Sequence, residues 1–124
     1  MVEFAIALPL LTLVVFGIIE LGNAWHREQV VATAAREGVR VGAQYNPSHI
    51  ADTAVIAVQQ YLHGARLDTT KFLISTNCCS TVPKYITVTV TDTLKFPVTS
   101  RFSPLPATKV VNITATMRNE AYAE

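Results

Sequence analysis

VEFAIALPLLTLVVFGIIELGNAW, residues 2–25, decides how this chain is organised. Within it residues 4–19 run for 16 positions without a charge, and the only ionisable side chains before Leu21 are Glu3 and Glu20. As a helix, that run covers roughly 24 Å, close to the ~30 Å hydrocarbon core of a bilayer once its apolar flanks are added. Apolar residues occupy every side, so no single face is marked for a soluble core. Such a helix must be surrounded by lipid or by other apolar helices. A cleaved signal peptide is the competing reading. It is weakened because no basic region precedes the run, no A-x-A-type site follows it, and the helical pattern continues past Leu21.

Three residues stand out inside this segment. Pro9 removes one backbone hydrogen bond and crowds the preceding turn, so a kink or local unwinding is expected near Leu8. Glu3 is costly at membrane depth unless paired, and an α-amino group, its own or a neighbour's, is a natural partner. Glu20 falls near the opposite boundary, where it can reach solvent.

The pattern then becomes amphipathic. Over residues 21–43, Leu21, Ala24, Val31, Ala35, Val39 and Gly42 share one face, while His26, Gln29, Thr33, Arg36, Glu37 and Arg40 gather opposite. Arg27 and Glu28 break this order by projecting from the apolar side. Ala34, Gly38 and Gly42, four apart, form a small-residue ridge that admits a close backbone neighbour. Two partners for it remain open: the chain's own globular part or another subunit. A single helix of about 40 residues, on the order of 60 Å long, is the expected result.

Asn46-Pro47 reads as the start of a second helix over 47–63, with Ile50, Ala54, Val58, Tyr61 and Leu62 on one face and Gly64 ending it. Thereafter the period is two. Strands are expected at 71–76, at 85–91 and at 110–117, with Leu94, Phe96 and Val98 extending the second or beginning another. In the second, Ile86, Val88 and Val90 alternate with threonines, which implies one solvated sheet face. Turn-rich links fall at 80–83 and 103–106. The fold class is therefore α+β: a long N-terminal helix, a short second helix, and a three- or four-stranded antiparallel sheet over 70–119 packed on the long helix's C-terminal half. Residues 1–22 form the apolar helix. Residues 23–124 form the globular part, including the helix continuation over 23–44.

Composition narrows the function. The 124 residues hold 10 basic and 9 acidic side chains for a net charge of +1, so no field argues for nucleic acid. Hydrophobic residues reach 50% against 15% charged, concentrated at the front of the chain. Cys78 and Cys79 are adjacent; they either form a strained vicinal disulfide or remain two small thiols. With His26, His49 and His63 far away in sequence they make no zinc pattern. Asn112-Ile-Thr114 fits the glycosylation acceptor triplet, which also arises by chance. No nucleophile–base pair, HExxH or phosphate loop is visible, and neither an enzyme nor a cofactor is expected.

The leading segment followed by TAAREGVRVGA (33–43), with NITATMRNE (112–120) near the end, resembles the TadE-like family of pilins and pseudopilins, relatives of type IV pilins in tight-adherence systems. That resemblance implies a pilin-like fold and a subunit of a helical filament whose apolar N-terminal helices bundle. It also implies a precursor with a basic leader in the inner membrane, a prepilin peptidase, an assembly platform and other pilins as partners, and a final place in an extracellular pilus on the cell surface. Met1, Glu3, Phe4, Pro9 and Glu20 are the candidate assembly residues. Glu3 matches the family's acidic residue near the mature terminus, although in type IV pilins that residue commonly stands fifth after cleavage and here it is third. The alternative is a bitopic, membrane-anchored binding module that does not polymerise.

Overall fold

The computed structural model describes residues 2–44, 49–78, 85–102 and 106–119. Met1, the Asn46-Pro47 start signal, Cys79, the 80–83 link and most of the 103–106 link lie outside them.

Helix α1, Val2–Ala43, is a single helix of 42 residues. Its sequence is rich in Ala, Leu, Val and Ile and has one proline, so helix-compatible residues dominate nearly every turn. Of the kink or local unwinding expected near Leu8, the unwinding does not occur. Pro9 lies inside the continuous helix, and one turn later the Thr12 hydroxyl donates to the Leu8 carbonyl at 2.8 Å. Proline deletes a single donor from a long ladder, and the turns on both sides hold the remainder.

Helix α2, Ile50–Gly64, packs against the second half of α1 and buries Ile50, Ala54, Val58 and Leu62. Its first helical residue is Ile50. His49 precedes it without capping through its side chain; its carbonyl accepts from the Thr53 N–H and hydroxyl. Gly64 is the last helical residue, and the left-handed position is taken by Arg66, at φ 59°. Arg66 N–H donates to His63 and Leu67 N–H to Leu62, the paired bonds of a Schellman ending. Leu67 packs against the core, and that contact fixes where the chain must turn.

A 3-10 turn at Thr69–Lys71, capped by Asp68 accepting from the Thr70 N–H, delays the first strand. Strands β1 (Leu73–Cys78), β2 (Tyr85–Lys95) and β3 (Thr108–Arg118) form a three-stranded antiparallel sheet in the order β1-β2-β3. β2 outruns its expected end at Thr91, so Leu94 extends it, while Phe96 leaves the strand and its N–H bonds the Ala107 carbonyl at 2.8 Å. The four-residue helix α3, Thr99–Phe102, follows.

The register builds the two faces. Val90 lies between Ile74 and Ile113, Val88 between Thr76 and Ala115, and Ile86 between Cys78 and Met117. This inner face lies on α1, where Val31, Ala34, Ala35, Val39 and Ala43 are buried with the α2 row and with Ile86, Val88 and Val90. On the outer face the Thr87–Thr116 and Thr89–Thr114 hydroxyls pair at 3.2 and 3.1 Å. Strands rich in β-branched residues pair well across a half-solvated sheet.

Candidate functional site

The feature that separates this molecule from an ordinary α+β domain is what the core leaves uncovered. Residues 3–16 of α1 are all exposed; Phe4 is 80% exposed, Leu8 62% and Ile18 67%. α1 is long and apolar enough to cross a membrane, with a most apolar window of mean hydropathy 2.4 and none of that window buried within the chain. Contiguous apolar surface on this scale marks a contact with lipid or protein. Among the candidate assembly residues, Glu3, Phe4 and Pro9 lie along this exposed rod.

Glu20 behaves differently. It is half-buried, and its Oε1 accepts the backbone N–H of Val98 at 2.7 Å. The link between β2 and β3 is thereby tied down to the rod at the level where the apolar run ends. Two turns further on, Arg27 makes a two-pronged contact with Asp92: Nε to Oδ2 at 2.6 Å and Nη2 to Oδ1 at 2.9 Å. Asp92 is 3% exposed, and the Arg27 guanidinium also lies over the Phe72 ring, 5.3 Å from its centroid. Forked geometry matches guanidinium to carboxylate, and an aromatic face favours the cation further. Together Glu20, Arg27 and Asp92 form a polar collar between rod and domain.

Sequence reasoning missed this collar. Its signal was present as two violations of pattern: Arg27 on the apolar side of α1, and Asp92 in the inward row of β2 after Ile86, Val88 and Val90. Each charge is costly where it stands, and each is the other's remedy.

The small-residue ridge faces inward. A Cβ on Gly38 would collide with Val58 Cγ2 and meet the Ala54 carbonyl at 3.1 Å; one on Gly42 would meet Ile86 Cδ1 at 2.5 Å. Ala34, Gly38 and Gly42 are buried by α2 and β2 of the same chain. Leu21 and Ala24, assigned by periodicity to the same face as Val31, differ from it: Leu21 is 66% exposed and Ala24 half-buried. The domain covers α1 fully only from Val31 onward. Trp25, within the same two turns of α1, is 65% exposed. Cys78, at the end of β1, is disulfide-bonded. Among the described residues no three of His, Cys, Asp and Glu gather as metal ligands.

No curated protein and no solved structure matches the chain. The family model described as TadE-like protein matches residues 1–40, most of α1, so this helix is similar to that family's N-terminal segment.

Proposed function

We propose that the chain is a structural subunit, major or minor, of an extracellular pilus of the type IV-like, tight-adherence kind, built by bundling of its N-terminal apolar helices. The observation that carries this reading is the rod: an apolar helix whose residues 3–16 are all exposed, with none of its most apolar window buried within the chain. The TadE-like match over the same residues supports it. Before assembly the rod resides in the inner membrane. A prepilin peptidase, an assembly platform and other pilins are the partners that this reading entails, and the role is non-catalytic.

The physical logic is one of exchange. Leaving lipid for water would expose the rod at about 25 cal/mol per Å² of apolar surface, many kcal/mol per subunit. Packing against copies of itself avoids that cost. Glu3 then sets axial register, because a neighbour displaced by one turn leaves a carboxylate unpaired in an apolar bundle.

Shearing of cells followed by electron microscopy and immunodetection tests the proposal. The chain is expected in sheared filaments, and Glu3→Gln is expected to leave membrane insertion intact while lowering filament yield several-fold. A protein confined to the membrane fraction, with no filament, would favour the anchored binding module instead.

A further inference from the structure

Immediately beyond the apolar run lies a cleft of about 590 Å³ between α1 and the end of the sheet. Its helix wall is Glu20, Asn23, Ala24 and Arg27, one face of α1 at successive turns, and its opposite wall includes Lys71, Lys95 and Pro97. The size falls within the range of small-molecule clefts. Three of the lining residues are cations and one, Glu20, is an anion. The carboxylates are already engaged: Glu20 Oε1 accepts from Val98 N–H, and Asp92, behind Arg27, holds both prongs of its guanidinium. Lys71 is 67% exposed and meets an exposed Asp68, at 3.1 Å. Lys95 is exposed at the last position of β2.

The position of the cleft along the rod identifies its ligand. From residue 20 to residue 27 the helix rises about 10 Å, and the polar layer on each side of a bilayer is roughly 5–8 Å thick. If residues 4–19 occupy the hydrocarbon, the cleft opens at the depth of lipid phosphates. Exposed Trp25 lies at the same level, where indoles favour the membrane–water boundary. A membrane phosphate at that depth thus faces a cleft lined by Lys71, Lys95 and Arg27.

We propose that this cleft binds the phosphate headgroup of an anionic phospholipid, seated between Lys71 and Lys95 where α1 leaves the bilayer. The inference rests on membrane residence of the rod and adds to it a preferred lipid. Bound lipid would orient the domain on the membrane surface before the subunit is withdrawn into a filament.

The test uses the full chain in detergent micelles doped with phosphatidylglycerol or phosphatidylcholine, with co-purifying lipid measured by mass spectrometry. Phosphatidylglycerol is expected to be retained preferentially, and Lys71→Gln/Lys95→Gln is expected to reduce that retention on the order of tenfold. Lys71→Arg/Lys95→Arg should preserve it. Equal retention of the two lipids, or retention indifferent to the glutamine pair, would overturn the site. Full displacement of the lipid by millimolar inorganic phosphate would also overturn it, reassigning the cleft to a soluble anion. Flotation with neutral phosphatidylcholine vesicles separates the two ideas. A chain that floats but does not discriminate headgroups loses the site alone; one that does not float loses membrane residence and the site together.

Discussion

Asp92 is the residue on which the junction turns. It occupies an inward position on β2 with 3% exposure, and Arg27 reaches it from α1 across 65 residues of sequence. A buried ion pair adds little over a well-packed apolar pair, but removing one member leaves the other charge stranded. Arg27→Met should therefore destabilise the domain by about 3 kcal/mol or more, whereas Arg27→Met/Asp92→Leu should recover most of that loss. Denaturant unfolding of the full chain in detergent, followed by circular dichroism, measures both. Equal stability of the single and double variants would mean that Asp92 finds water or another donor when Arg27 is gone. Neither partner announces the pair by local sequence, because each is ordinary among its immediate neighbours. Only the two periodicities, 3.6 on the helix and 2 on the strand, mark them as misplaced, and only the tertiary fold brings the two misplacements together.

At the scale of elements, the meeting of α1 with α2 depends on absent side chains. Gly38 lets Val58 and the Ala54 carbonyl approach, while Gly22, lower on the same helix, has nothing within 4 Å of where a Cβ would stand. The same substitution should thus have opposite signs at the two sites. Gly38→Ala forces α2 outward and should cost about 1–3 kcal/mol. Gly22→Ala should stabilise by up to about 1 kcal/mol through helix propensity alone. Paired melting curves decide it, and destabilisation by both would show that Gly22 also meets a neighbour. Element types were legible because burial imposes its period on composition: the alternation around Ile86, Val88 and Val90, and the recurrence of Ile50, Ala54, Val58 and Leu62, could hardly be read otherwise. Boundaries were less so. The turn after α2 is set by Leu67 entering the core, which places a left-handed Arg66 where a glycine two residues earlier drew attention. The strands ran longer than expected because Thr93 and Lys95 on β2 pair with Val110 and Thr108, a consequence of register that neither segment carries by itself.

The whole molecule divides its labour along one helix. Every buried apolar residue of the described chain lies at Val31 or later, and the large exposed apolar residues crowd before Trp25. A chain lacking residues 1–19 should accordingly fold, remain monomeric by gel filtration without detergent, and melt within a few degrees of the full chain. Aggregation or loss of the melting transition would show that the rod contributes to the domain's own stability. The exposed rod was the most legible part of the molecule, since an apolar run unbroken on all sides has few physical destinations, whereas the collar beneath the domain showed in sequence only as charges out of pattern. Trp25 adds a practical consequence. It is the only tryptophan in the 124 residues, and it stands two-thirds exposed at the boundary between rod and domain. The intrinsic emission colour of the unlabelled protein therefore reports the polarity of that one level, distinguishing an indole bathed in water from one wedged among acyl chains or neighbouring helices, with no dye and no engineered probe.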